Sequence, residues 1–146
     1  GHTGIAGGQE LDLKFENKKK KINQVIDMQR KKTGKLFNFC LYAVGVIANK
    51  NNKEKFFLSN LGEEIGLLFQ LADDFLDIKS SKKLTGKQVK KDSKKGKSTL
   101  LNLIGEKKAY LYALNLKKKI LLKLKKHGKK AESLTNTIEF ILRRNF

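Results

Sequence analysis

Proline is absent from all 146 residues of the chain. At the average usage of about 5%, a chain of this length would contain about seven prolines. Because proline inside a helix removes a backbone hydrogen bond and clashes with the preceding turn, its absence favours long, uninterrupted helices. No alternation of apolar and polar residues is long enough to predict a sheet. The sequence therefore predicts an all-α fold with a core of its own.

Apolar residues recur at helical spacing in several segments. We expect a short helix within residues 4–16, a second from Ile22, a long one over 54–79, and two more over 105–126 and 133–144. A further apolar stripe comprises Leu36, Phe37, Cys40, Leu41, Val44, Ile47 and Ala48. Since Cys40 lies on this stripe, we interpret it as a core residue and not as a nucleophile.

Two polar segments are predicted to be loops. Residues 49–55 contain mostly Asn and Lys. Residues 80–99 contain eight Lys and two Gly and are expected to form a mobile basic loop. The ending "GKST" at 96–99 suggests a phosphate-binding P-loop, but position 91 is Lys where that motif requires Gly, and no strand precedes it. A loop carrying Lys87 and Lys97 could still close over an anion, and the alternative is a solvated linker.

The formal charge of +19 would attract polyanions such as nucleic acid. Only three of the 33 basic residues are Arg, however, and Arg is preferred for two-pronged contacts to bases and phosphates. The chain is also rich in Asn and Ile, which indicates a compositional bias of its source. We therefore expect no nucleic-acid partner. A basic helical nucleic-acid-binding module remains the alternative, which salt-dependent binding of random DNA would support.

The sequence also bears on the compartment. It contains no signal peptide and no apolar run of transmembrane length, so we expect a soluble protein without a membrane partner. The single Cys40 cannot form an internal disulfide, which fits a reducing, cytoplasmic environment. His2 and His127 are far apart in sequence and accompany no cysteine cluster, so zinc is not expected.

Three aspartates interrupt the apolar run "GLLFQLADDFLDI" at 66–78. Asp73 and Asp77 are four residues apart and share one helix face with Gln70, whereas Asp74 is rotated by about 100° and can only flank it. Two carboxylates one turn apart repel each other unless a cation lies between them. Hard oxygen ligands of this kind suit Mg²⁺, which also recruits substrate phosphate. The alternative is that Lys side chains of neighbouring helices pair with these aspartates.

Two shorter motifs add candidate site residues. "KKTGK" at 31–35 places Lys32 and Thr33 before a glycine at a helical break, where an ammonium and a hydroxyl could hold a phosphate. Its alternative is a surface helix junction. "GGQELD" at 7–12 places Gln9 and Asp12 on one helix face, and its two glycines permit a close helix approach.

The order of these motifs is more specific than any one of them. The chain resembles the C-terminal half of a trans-prenyl diphosphate synthase, and most closely the bacterial farnesyl and geranylgeranyl diphosphate synthases, in the order "GGQELD", "KTG", "GLLFQLADDFLD" and then "GKST". The resemblance extends from about Gly4 to the C-terminal "ILRRNF". It implies the all-helical isoprenoid synthase bundle, Mg²⁺ as cofactor, and usually a homodimer.

The resemblance also implies roles for individual residues. Asp73 and Asp77, supported by Asp74, would bind Mg²⁺ that bridges the diphosphate of an allylic substrate. The diphosphate would also meet Lys32, Thr33, Gln70, Lys87 and Lys97, of which Lys32, Thr33 and Gln70 would take part in catalysis. Gln9, Asp12 and Phe69 would line the cavity. The allylic diphosphate would condense with isopentenyl diphosphate to give a short-chain trans-prenyl diphosphate.

The family's first aspartate-rich motif and its isopentenyl diphosphate-binding Lys and Arg do not occur in these residues. The resemblance therefore implies that residues 1–146 are part of one domain whose N-terminal half is absent. Such a fragment should not catalyse condensation alone, and it should expose apolar surface. A non-catalytic, synthase-like regulatory subunit is an alternative, although "DDFLD" argues against it. A terpene cyclase is disfavoured by "GGQ", "KTG" and "GKST" together.

Overall fold

The computed structural model describes the backbone of residues 1–85 and 97–143, and the side chains of these residues except those of 81–85. The helices within this part of the chain are α1 (Ile5–Phe15), α2 (Ile22–Gln29), α3 (Lys35–Ile47), α4 (Asn52–Thr85), α5 (Leu100–Ile104), α6 (Glu106–Lys125) and α7 (Glu132–Arg143). A π-helical turn, Arg30–Gly34, joins α2 to α3, and a 3₁₀ turn, Gly128–Ala131, precedes α7. No strand occurs in the two described ranges, so the all-α prediction is confirmed there.

Helix α4 is the central element, and α3, α6 and α7 pack around it. Its middle is buried on nearly all sides through Leu61, Ile65, Leu67, Leu68, Leu71, Ala72 and Phe75. A helix that is apolar all round is stable only when other helices cover it. The predicted core stripe of α6 is confirmed, since Ala109, Ala113, Leu116, Ile120 and Leu124 are all buried. A smaller cluster of Phe15, Val25 and Met28 joins α1 to α2.

Helix α4 approaches the start of α3 closely because position 66 lacks a side chain. A Cβ atom at Gly66 would lie 2.7 Å from the Cα atom of Gly34 and 3.0 Å from a ring carbon of Phe37. Backbone contact at this point sets the distance between the segment that carries Thr33 and the one that carries Gln70. Gly66 is therefore required for the close packing of α4 on this segment.

We expect Gly66→Ala to lower the free energy of unfolding by roughly 1–3 kcal/mol, because the backbone of α3 must move away. Urea denaturation followed by circular dichroism measures this change. Gly4→Ala is the matched control, since a Cβ atom there would lie no closer than 3.6 Å to its nearest neighbour. An equal loss of stability in both variants would contradict the packing explanation.

The ends of α4 differ from the predicted 54–79. The helix begins two residues earlier because Asn51 Oδ1 accepts a hydrogen bond from the Glu54 backbone N–H at 2.9 Å and caps the first turn. It also continues to Thr85, six residues into the predicted loop, since residues 80–85 contain no glycine or proline and Gly86 is the first. The rest of that loop up to residue 96 lies outside the described residues. The short helix α5 was not predicted.

The prediction that Cys40 is a core residue is wrong, because this side chain is exposed. Helix α3 is apolar almost all round and packs on α4 through Phe37 and Leu41, whereas Cys40 lines an apolar cavity beside them but remains exposed. Large apolar side chains exposed on α3 are Leu36, Phe39, Tyr42, Val44, Val46 and Ile47. The expected exposed apolar surface is therefore present. No helix in the described ranges is both long and apolar enough to cross a membrane.

A charged cluster ties α6 to α4 next to the core. Glu64 is 9% exposed, and its carboxylate meets Lys123 Nζ at 2.7 Å and Lys119 Nζ at 3.0 Å. Burial alone would raise the pKa of Glu64, but the hydrogen bonds from Lys123 and Lys119 outweigh burial and lower this pKa below its ordinary value of 4.5. The ionised form of Glu64 therefore stabilises the fold.

We expect Glu64→Gln to lower the free energy of unfolding by about 1–3 kcal/mol at neutral pH, the range for hydrogen bonds to charged groups. Because the folded-state pKa is lowered, this contribution is present above the unfolded value of 4.5 and is lost as the pH falls through the folded value. Denaturation of both proteins between about pH 7 and about pH 3 measures it. A difference between them that does not shrink on acidification would contradict this role.

Candidate functional site

The "KTG" segment lies in the π-helical turn between α2 and α3. The Lys35 backbone N–H donates to the carbonyl of Arg30, five residues back, which widens the helix at this turn. Such turns are frequent at functional sites. Helix α1 reaches the turn because a Cβ atom at Gly8 would lie 2.1 Å from the backbone nitrogen of Lys32. The predicted close approach at "GGQ" therefore brings α1 against the lysine-bearing turn.

A cavity of about 320 Å³ opens where α1, the π-helical turn, α4 and the start of α5 meet. It is lined by Asp12, Met28, Gln29, Lys32, Gln70, Asp73, Asp74, Leu76, Asp77, Lys97, Ser98 and Thr99. Seven of the residues proposed from sequence are among them, namely Asp12, Lys32, Gln70, Asp73, Asp74, Asp77 and Lys97. The fold thus brings together acids and lysines from four separate motifs.

Side-chain hydrogen bonds connect the motifs around this cavity. Lys32 Nζ donates to Asp12 Oδ2 at 2.5 Å and so pairs "KTG" with "GGQELD". Thr33 Oγ1 donates to Gln70 Oε1 at 2.6 Å, and Gln70 Nε2 donates to Asp74 Oδ1 at 3.0 Å. Thr33 does not line the cavity itself but holds a side chain that does. Two hydrogen-bonded groups, one through Lys32 and one through Thr33, therefore link "KTG" to the other two motifs.

Asp74 lines the cavity, and its carboxylate is hydrogen-bonded within the protein. Its second carboxylate oxygen, Oδ2, accepts from Gln29 Nε2 at 2.9 Å, so both oxygens are held by amides. Burial raises the pKa of Asp74 to about 6, and the charges of Asp77 and Asp73 add to this rise while the hydrogen bonds from Gln70 and Gln29 oppose it. Asp74 is therefore suited to supporting the site through its hydrogen bonds to Gln70 and Gln29.

The residues present fit a hydrated Mg²⁺ better than a metal held by protein ligands alone. Within the described residues, no three His, Cys, Asp or Glu side chains converge closely enough to enclose a metal. Mg²⁺ is commonly bound by one or two carboxylates, with waters and substrate phosphates as its other ligands. Asp73 and Asp77, which line the cavity, are carboxylates on α4 that could contribute oxygens to such an ion.

Two other predicted residues lie elsewhere, and a third is not among the described residues. Gln9 is exposed and does not line the cavity. Phe69 stacks at a tilt on Phe37 with ring centroids 5.5 Å apart, and both rings line a separate, apolar cavity of about 250 Å³ between α3, α4 and α7. Lys87 lies outside the described residues. Their predicted roles stay predictions.

Sequence reasoning missed Gln29 and two residues of "GKST". Gln29 is three residues before Lys32, and its position one turn ahead of "KTG" was the available signal. Ser98 Oγ donates to the backbone carbonyl of Phe15 at 2.8 Å, and Thr99 Oγ1 accepts from the Asn102 backbone N–H at 3.2 Å to cap α5. "GKST" therefore has a structural role, since it anchors Lys97 beside the cavity.

Comparison with known proteins identifies the family. The sequence model described as polyprenyl synthetase matches residues 2–140, almost the whole chain. The chain belongs to the polyprenyl synthetase family. It is 34% identical to farnesyl diphosphate synthase of Bacillus subtilis over 110 residues, which cover 73% of this chain and 37% of that protein. It is 31% identical to the Escherichia coli farnesyl diphosphate synthase over 149 aligned residues, covering 99% of this chain and 50% of that protein.

Solved structures of polyprenyl synthetases support the fold. An FPP/GFPP synthase from Zymomonas mobilis superposes with a TM-score of 0.79 at 30% identity, covering 97% of this chain and 46% of that one. A geranyltransferase from Helicobacter pylori complexed with magnesium and isoprenyl diphosphate gives 0.76 at 28% identity, with coverages of 97% and 46%. The predicted isoprenoid synthase-type bundle is confirmed, and the chain spans half or less of these relatives.

Proposed function

We propose that the chain is the C-terminal half of a Mg²⁺-dependent short-chain prenyltransferase, which condenses an allylic diphosphate with isopentenyl diphosphate. The observation that carries the proposal is the cavity that Asp73 and Asp77 of α4 line together with Lys32 and Lys97. Carboxylates and ammonium groups around one cavity suit a ligand made of cation and polyanion together. The names of the relatives, farnesyl diphosphate synthases, support this substrate class.

The side chains of this cavity would stabilise the diphosphate as its bond to the allylic carbon breaks. Bound Mg²⁺ would supply positive charge to the departing oxygens. Lys32 is fixed by Asp12 at 2.5 Å, so its ammonium is already oriented towards the cavity before substrate binds. Gln70, held between Thr33 and Asp74, would lie beside the reacting carbon. Preorganised charges of this kind stabilise a transition state most strongly where water is excluded.

The isopentenyl diphosphate site and the remaining metal carboxylates are proposed to belong to a second half of the bundle. The chain spans half or less of its relatives, and the apolar side chains exposed on α3 are suited to contact with further helices. We propose that residues 1–146 alone do not catalyse condensation. A homodimer and a cytoplasmic location also remain proposals, based on the family resemblance and on the unpaired Cys40.

Binding of an allylic diphosphate analogue tests the proposed function. A thiodiphosphate that resists ionisation is titrated into the chain by calorimetry, with Mg²⁺ and then with excess chelator. We expect binding with Mg²⁺ and loss of at least 10-fold in affinity without it, because two carboxylates would otherwise repel the diphosphate. An alkyl monophosphate of equal chain length is the control ligand and should bind more weakly. Equal binding with and without Mg²⁺ would contradict the proposal.

A further inference from the structure

Gln29 is a buried polar residue at the base of the cavity. It is 2% exposed, and its amide nitrogen donates to Asp74 Oδ2 at 2.9 Å. Its amide oxygen is buried and has no hydrogen-bond partner among the described residues. Gln29 also lines the cavity together with Asp73 and Asp77. One half of the amide is therefore used inside the protein, and the other half lacks a donor.

The missing partner must be a hydrogen-bond donor. Buried polar atoms are nearly always paired, so an unpaired one beside a cavity points to a group that enters the cavity. An amide oxygen only accepts hydrogen bonds, and a fully ionised diphosphate offers only acceptors. The two cannot bond directly. A water molecule can donate, and Mg²⁺ usually keeps several waters when it binds through one or two carboxylates.

We propose that Gln29 is a positioning residue with two functions, one for each end of its amide. Its nitrogen fixes the orientation of the Asp74 carboxylate beside Asp73 and Asp77, which line the same cavity. Its oxygen accepts a hydrogen bond from water that belongs to a hydrated cation in the cavity. This second function rests on the proposed function of the chain. Removal of a residue that hydrogen-bonds to a metal ligand typically lowers the affinity for the metal about 10- to 100-fold.

Gln29→Met tests the inference, because methionine has a similar length and volume. Its thioether donates no hydrogen bond and is only a weak acceptor. Binding of inorganic diphosphate with Mg²⁺ is measured by calorimetry, and thermal unfolding is measured without ligand. Gln24→Met is the matched control, since Gln24 lies on the same helix and is exposed. We expect Gln29→Met to weaken Mg²⁺-dependent binding about 10- to 100-fold and Gln24→Met to leave it unchanged.

The outcomes separate the two proposals. If Gln29→Met lowers the melting temperature but binds diphosphate as tightly as the unmodified chain, Gln29 is only structural and the inference is overturned. If the unmodified chain shows no Mg²⁺-dependent binding, the proposed function fails, and the contact of the Gln29 oxygen fails with it. Should Gln29→Met not fold, Gln29→Asn is measured by the same criteria, because its shorter side chain withdraws both amide ends while keeping their polarity.

Discussion

Asp73→Ala is expected to reduce prenyl transfer roughly 100- to 1,000-fold in a complete synthase that carries residues 1–146 as its C-terminal half. The alanine removes a carboxylate that lines the cavity together with Lys32 and Lys97. Without it, the cation that neutralises the departing diphosphate loses a ligand where charge develops in the transition state. The turnover rate should therefore fall more than the affinity for isopentenyl diphosphate, whose site is proposed to lie in the other half.

Asp27→Ala is the matched control for this change. Asp27 lies on α2, its side chain is 58% exposed, and it pairs with Lys31 one turn along the same helix at 2.8 Å. Exposed pairs of this kind contribute little to stability, so the control should keep near-normal turnover. Steady-state assays at saturating Mg²⁺ measure both variants. Near-normal turnover by Asp73→Ala would remove this residue from the catalytic site.

Leu68→Ala is expected to lower the free energy of unfolding by about 3–5 kcal/mol. Leu68 is 0% exposed in the middle of α4 and belongs to the buried cluster that α4 forms with α6 and α7, so its neighbours cannot close the resulting cavity without moving. A domain of this size has a total stability of roughly 5–15 kcal/mol. The loss is therefore about a fifth or more of the total, and the melting temperature should fall by roughly 10 °C.

Leu122→Ala makes the same chemical change on the surface. Leu122 is 61% exposed on α6, so its loss should cost less than about 0.5 kcal/mol. Chemical denaturation of both variants gives the comparison. If the two substitutions cost the same, the burial assigned to α4 would be incorrect, and the placement of the aspartates that follow Leu68 on this helix would lose its support.

Helical periodicity was enough to predict most of the fold. The spacing of Ala109, Ala113 and Ile120 placed one face of α6 in the core, and the structure confirms it. Periodicity failed on α3, because a helix that is apolar on most sides gives no unique buried face. For that reason Cys40 was assigned to the core, although its side chain is exposed. Helix ends were also missed where a single residue decides them, as Asn51 does at the start of α4.

The candidate site could be predicted only in part from spacing along the chain. Spacing placed Asp73, Asp77 and Gln70 on one face, and all three line the cavity, as Asp74 also does. The motif order then implied that Lys32 belongs with them. Gln29 could not be found in this way, because its role depends on how α2 crosses α4 and on a contact between residues 45 positions apart. Spacing within a single motif cannot predict a contact between two helices that are distant in sequence.

A crystal of the chain grown with Mn²⁺ and inorganic diphosphate provides the most direct measurement of the central claim. Mn²⁺ takes the oxygen ligands that Mg²⁺ takes and is located by its anomalous scattering. We expect a metal peak bound by carboxylate oxygens of Asp73 and Asp77 at about 2.0–2.3 Å, with diphosphate between the metal and Lys32. Diphosphate bound at another surface, with both carboxylates free of metal, would contradict the assignment of this cavity.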